Sequence, residues 1–294
     1  MSDLRAYIAN CLIGGHTMTM NGNSWTRDTV EFNCDDQVFV LKQKASVITG
    51  NLSDFRGQFC ETSEILVRDV APDDVSKTLL AINRICWLLS FAGLSRVLCY
   101  GHDYPDGSEY GVRYTVVGVA DFFRPTIEIR DGITIKSFVE QTYPTFVRLE
   151  KSRKLNVAID YLLQAERQNQ STECRLIFAF VLLENLKDTY ARKRGIPYLK
   201  GFFRKVPKPN GQKYGFEDLL HLMFREVRMR RGLKRVVKLR NEIIHSGLSH
   251  KSHHQRWAMY EKVHDLLREY ILRLLDYHGT YLVYSSASNA QAAV

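Results

Sequence analysis

The chain has 294 residues, 45% apolar and 25% charged, an ordinary globular composition that excludes a disordered polymer and a small disulfide-stapled domain. Its net charge of +9 is unevenly spread: residues 1–150 hold 14 Lys and Arg against 19 Asp and Glu, whereas residues 151–294 hold 27 against 13. Residues 200–256 alone carry 15 basic and 4 acidic side chains, which points to a polyanionic partner, a solvated basic face being the plainer reading.

Six cysteines (Cys11, Cys34, Cys60, Cys86, Cys99 and Cys174) are scattered without a CxxC pair, as in a reducing cytoplasm. The N-terminal residues lack the apolar run of a signal peptide. The longest apolar candidate, residues 85–100, is interrupted by Ser90, Ser95 and Arg96 and is too short and polar to span a bilayer. The expectation is a cytoplasmic protein with no membrane contact.

In chain order, residues 28–67 show β-type clusters, Val38-Phe39-Val40-Leu41 and Ile65-Leu66-Val67, broken by Asn33, Asp35-Asp36 and Gly50-Asn51. A helix is predicted next: Asp73 and Asp74 suit its first turn, and Leu79, Leu80, Ile82, Ile85, Cys86, Leu88 and Leu89 recur at helical spacing. Turn-rich residues 103–111 lead into strand-like Tyr114-Thr115-Val116-Val117 and Ile127-Glu128-Ile129. These elements predict a mixed α+β first domain, residues 1–132, with a boundary after Asp131-Gly132. Long helical patterns follow at about 145–167, 172–194, 216–229, 233–245 and 254–278, separated by loops that include a Pro-, Gly- and Lys-rich stretch at 195–215. Residues 133–294 therefore read as an all-α bundle of about five helices, ending in a frayed tail at 285–294.

The most informative motif is Arg240-Asn241-Glu242-Ile243-Ile244-His245, near a predicted helix end and followed by Ser246-Gly247. Arg presents a permanently charged fork that matches phosphate, and His exchanges protons near neutrality. With 25 Arg and 9 His, chance alone places about 0.8 Arg-x4-His pairs in such a chain, and Arg273…His278 is another; requiring Asn after Arg cuts the expectation to about 0.03. On an ideal helix Leu233, Val236, Val237, Leu239, Ile243 and Ile244 form an apolar arc that includes Arg240, while Lys234, Lys238, Asn241 and His245 form a polar row. Arg240 and His245 are then about 140° apart. To meet at one phosphate, the Arg side chain reaches round, the helix unwinds near Gly247, or the helix packs against a second copy. Glu184, also on an apolar face, needs a partner, either Arg240 or Lys187 three residues on.

The order of a helix with Glu184, a long basic loop and a helix ending Arg240-Asn241-x3-His245-Ser246-Gly247 resembles the HEPN domain, and more narrowly the ApeA-like anti-phage proteins, over about residues 133–294. The resemblance implies a dimeric, metal-independent endoribonuclease used in phage defence or toxicity, answering a phage-derived trigger or regulatory protein. It implies Arg240, Asn241 and His245 as the active-site set. Toxins of this superfamily that pair with nucleotidyltransferase antitoxins often continue His-x-Tyr, whereas Gly247 stands at that position here.

The expected mechanism has His245 assisting proton transfer as the ribose 2′-OH attacks phosphate, Arg240 stabilising the developing charge, and Asn241 orienting phosphate or His245. Arg228, Arg230, Arg231, Lys234 and Lys238 are expected to hold the RNA backbone. No cofactor is expected, since GxGxxG, GxxxxGK[ST] and GxSxG motifs are absent. Two rivals stand beside this reading: a catalytically silent HEPN module that binds RNA or a protein, and a metal-dependent nuclease using His245, His250, His253 and His254.

Overall fold

The computed structural model describes residues 1–21, 24–105, 124–167, 169–230, 232–247, 249–286 and 290–294. Alternating burial builds the first sheet: in β1 (Ser2–Ala9), Leu4, Ala6 and Ile8 are buried while Asp3 and Arg5 face water. It is joined by β2 (Thr17–Asn21), β3 (Ser24–Cys34) and β4 (Gln37–Gln43), then, after the short α1 (Ala45–Thr49), by β5 (Glu61–Val70), and, after α2 (Val75–Gly93), by β6 (Leu98–Asp103). The strand order is β2-β3-β4-β5-β1-β6, and each neighbouring pair is antiparallel. Since β5 and β6 both oppose β1, they run parallel to each other, and α2 is the crossover of a split β-α-β unit. The β3–β4 turn is Asp35-Asp36 with φ of 49° and 60°, the left-handed pair a two-residue hairpin requires.

The predicted strand at 127–129 is not one. The Thr126 and Ile127 N–H groups both donate to Ala92 O at the end of α2 (2.7 and 3.2 Å), and Ile129 O accepts from Gly14 N at 2.7 Å, so this backbone is spent on irregular contacts. Gly14 has to be glycine there, because a Cβ would lie 2.0 Å from Arg130 O. The strand expected at 114–117 lies outside the described residues. Residues 72–93 are long and apolar enough to cross a membrane by composition alone, with a mean hydropathy of 1.2, but 56% of that window is buried within the protein.

The domain boundary falls later than residue 132. The chain divides into residues 1–147 with 277–282 and 291–293, and residues 148–276 with 283–290 and 294. The cause is α3 (Gly132–Arg153), which starts well before the predicted helix at 145 and runs through Pro144. Its first part belongs to the sheet unit: Phe138 stacks near Phe91 with centroids 6.1 Å apart, Lys136 donates to Glu31 O at 2.7 Å, and Tyr143 donates to Asp35 at 2.9 Å.

In the second unit the helix expected across 145–167 is broken by Lys154, at φ 47°, between α3 and α4 (Leu155–Glu166). No Gly or Pro announces this break. It follows a buried anchor: the Arg153 guanidinium donates to Leu186 O (3.0 Å), Tyr270 Oη (2.8 Å) and Thr189 Oγ1 (3.3 Å). Next come α5 (Thr172–Lys193), the hairpin strands β7 (Tyr198–Leu199) and β8 (Phe202–Phe203), α6 (Phe216–Glu226), α7 (Lys234–Ser246) and α8 (His253–Leu274). The amphipathic α5 is the hub: it packs against α4, α6, α7 and α8 and buries Leu176, Phe180, Leu183 and Leu186. From α3 onward the described residues thus hold six helices rather than five. The expected frayed tail is also corrected, since β9 (Thr280–Leu282) pairs antiparallel with β10 (Gln291–Ala293), and Leu282 N donates to Thr126 O at 2.8 Å.

Candidate nuclease site on α7

The seventh helix is positioned by Val236, Leu239 and Ile243, which are buried, and it packs against α5 and α6. It ends at Gly247, whose φ of 69° suits a left-handed cap and whose N–H donates to Ile243 O at 2.8 Å. Ser249 donates to the Glu242 carboxylate (3.0 Å), and Ser252 with Gln255 forms a capping box that starts α8, so the segment after the motif is tied at both sides.

Arg240 does not face solvent alone. Its Nη2 donates to Glu184 Oε1, Nη1 donates to Asn241 Oδ1 at 3.0 Å, and its guanidinium lies 4.9 Å from the centroid of Phe216. Glu184 also receives Lys187, so both expected partners are real: one carboxylate joins two cations. The Arg240 side chain is 18% exposed and its Nε is buried without a hydrogen bond, so only part of its donor capacity is used. With Glu184 and Asn241 as partners, Arg240 needs no second copy to compensate its charge. Asn241 accepts from Arg240 rather than reaching His245, which makes it a positioning residue for the guanidinium.

Glu184, Lys187, Phe216 and Arg240 line an open cleft of about 850 Å³, together with Tyr198 and Phe202 of the hairpin. His245 is exposed and lies outside this lining. Five residues of helix separate it from Arg240 by about 7.5 Å of rise. The motif therefore supplies an oriented cation at the cleft and an accessible imidazole that is not part of its lining.

Of the expected phosphate-holding residues, Arg228, Arg230, Lys234 and Lys238 are exposed, and Arg231 lies outside the described residues. Arg228 and Arg230 share an open pocket of about 900 Å³ with His221 and Arg225, whose described lining contains no acidic side chain. Among the described residues no three His, Cys, Asp or Glu side chains gather in a metal-holding group, so His245, His250, His253 and His254 do not form one. The rival pair Arg273…His278 is not a single helical face, because α8 ends at Leu274 and Arg273 bonds Glu269 at 3.0 Å. No protein-family model, curated protein or solved structure matches this chain.

Sequence reasoning missed a buried polar cluster. Glu166 accepts from Tyr260, lies 3.1 Å from His264 Nε2 and shares its surroundings with Arg268; His264 and Arg268 are fully buried. Arg268 Nε donates to His264 Nδ1 at 3.0 Å, so that nitrogen is the acceptor and the imidazole proton sits on Nε2, although the Nε2–H points off the line to Glu166. His264 stacks on Tyr284 with centroids 4.2 Å apart. The available sequence signal was His264 and Arg268 one turn apart on an apolar face.

Burial holds the His264 imidazole below its usual range. Below a pH of about 6.5 the unfolded chain therefore takes up more protons than the folded one, and acidification through that point destabilises the protein. The melting temperature is expected to fall between pH 7.5 and 5.5, with a flatter profile in His264→Gln. A profile equally steep in that variant would show that His264 is not the group responsible.

Proposed function

We propose that the chain is a metal-independent endoribonuclease whose second unit is an HEPN-like helical module acting in defence or as a toxin. The observation that carries this reading is the Arg240 guanidinium clamped by Glu184 and Asn241 at a cleft, five residues before an exposed His245 on the same helix. An imidazole removes the ribose 2′ proton, O2′ bonds to phosphorus, and Arg240 balances the charge on the non-bridging oxygens. The P–O5′ bond breaks, and O5′ departs with a proton from solvent. Two copies of α7 packed together bring His245 of one copy to Arg240 of the other; half-exposed Ile244 (39%), between them in sequence, provides apolar contact.

The test is incubation of the purified chain with labelled single-stranded RNA in EDTA, followed by end-group analysis. Products with 2′,3′-cyclic phosphate and 5′-hydroxyl ends are expected. Cleavage lost on chelation would transfer the reading to a metal-dependent nuclease. A silent binding module is the second reading, favoured by the absence of His245 from the Arg240 cleft, and it predicts RNA binding without any cleavage.

RNA affinity is expected to fall steeply with salt, with a logarithmic slope near −0.7 for each phosphate neutralised on a single strand. Charge reversal at Arg228, Arg230 and Lys234 should weaken binding to all sequences alike and make that slope shallower, while leaving single-turnover cleavage at saturating RNA unchanged. A titration at several salt concentrations decides it. Unaltered affinity in the variant assigns this surface to another partner.

A further inference from the structure

The loop between α5 and α6 is a built object. Lys200 (φ 51°) and Gly201 (φ 79°) form the two-residue left-handed turn of the β7–β8 hairpin. A third segment returns alongside it: Tyr214 N donates to Phe203 O and Lys205 N to Gln212 O, both at 2.9 Å. Arg204 is 5% exposed and donates to Leu199 O (3.2 Å) and Gly211 O (2.7 Å), so one of the five basic residues of 195–215 pins the loop from inside. The other four, Lys200, Lys205, Lys208 and Lys213, leave a segment with no acidic residue at all.

This hydrogen-bonded, basic segment displays aromatic faces. Tyr198 and Phe202 are 48% and 47% exposed and line the same cleft as Phe216 and Arg240. Cations already sit on these rings: Lys213 Nζ lies 3.4 Å from the Phe202 centroid, Arg192 5.0 Å from Tyr198, and Lys187 5.3 Å from Phe216. Half-exposed aromatic rings cost free energy in water unless something covers them, and here they alternate with lysines that have no acidic neighbour within the loop. Planar, π-faced, anionic ligands satisfy both features at once, and successive bases on a single strand do so repeatedly.

Resting on the ribonuclease reading above, we propose that Tyr198 and Phe202 form a stacking platform that holds one or two unpaired bases of a single-stranded RNA, setting the adjacent phosphate near Arg240. The substrate class is RNA with splayed bases, not duplex: a base already stacked and paired within a helix has no free face to offer these rings. Lys213 and the neighbouring lysines take the flanking phosphates as the ring faces are occupied.

The test uses the intact chain and a 12-nucleotide 2′-O-methyl RNA containing one 2-aminopurine, which cannot undergo 2′-OH attack, so binding is read independently of cleavage. Wild type should bind the single strand at least about ten-fold more tightly than the same sequence in a blunt duplex and quench the 2-aminopurine fluorescence, as stacking does. Phe202→Leu and Tyr198→Leu keep apolar bulk at half-exposed positions, and each should lose about ten-fold in affinity together with the quenching, while Phe202→Trp should retain both. Equal affinity for duplex and single strand, or unaltered binding and quenching in both leucine variants, overturns the platform. Platform-dependent binding by a protein that leaves ordinary RNA uncut sustains it and overturns only the ribonuclease reading; cleavage that persists with unaltered leucine variants does the reverse.

Discussion

Alanine at His245 is expected to lower RNA cleavage roughly 10²–10⁴-fold, the scale of removing a positioned proton-transfer group. The fold should be untouched, since His245 is exposed and its side chain has no hydrogen-bond partner among the described residues. Arg240→Ala should be as damaging to cleavage and only mildly destabilising, because Lys187 continues to neutralise Glu184. Arg240→Lys should not restore activity: an ammonium cannot bond Glu184 and Asn241 while presenting a planar fork to phosphate. Mixing the two alanine variants separates the possible geometries. If each cleft draws Arg240 and His245 from different copies, random exchange regenerates about a quarter of wild-type activity; if both come from one copy by this route, none returns. Full cleavage by either folded alanine variant would remove the motif from the chemistry altogether.

The second large effect is on stability. Glu166→Ala is expected to cost about 3–5 kcal/mol, because it strips a carboxylate from a fully buried group containing Arg268 and leaves the charge of that arginine poorly compensated. Burial draws Arg268 down to about 10, and Glu166 is the foremost of the charges that oppose this fall, so the acid is what favours a charged guanidinium there. Tyr260→Phe should be milder, about 1 kcal/mol, since the Tyr260 hydroxyl bonds both Ala165 O and Glu166 but carries no charge. Urea unfolding measures both, and an Glu166→Ala midpoint within error of wild type would mean the cluster relaxes without its acid.

Much of the helical unit was legible because amphipathic periodicity dictates α5, α6, α7 and α8, and each has its own end signals: Ser171 before α5, Ser252 before α8, Gly247 after α7. What escaped was decided by tertiary contacts. The break at Lys154 depends on Arg153 reaching Leu186 and Tyr270, residues distant in sequence. The start of α3 was obscured by Pro144, which usually ends a helix but is tolerated here within one. At the site, the pairing of Arg240 with Glu184 followed from the cost of leaving either charge alone on an apolar face. The aromatic hairpin did not, because strands of two residues leave no periodicity to read, and lysines dominate its composition.

Residues 277–282 return to the first unit after residues 148–276 of the helical unit have intervened. Tyr277 meets Phe138 edge-on at 5.3 Å, and Leu282 bonds Thr126. A ribosome making about 5–20 residues per second needs roughly 6–26 s to produce the stretch in between, so the nascent sheet unit waits that long with its Phe138 ring uncovered. Helices α4 to α8 are made before that wait ends, but residues 283–290 of the same unit, with Tyr284 stacking on His264, come after it. Synthesis order thus leaves both units waiting on the same late stretch, the sheet unit for 277–282 and the helical unit for 283–290.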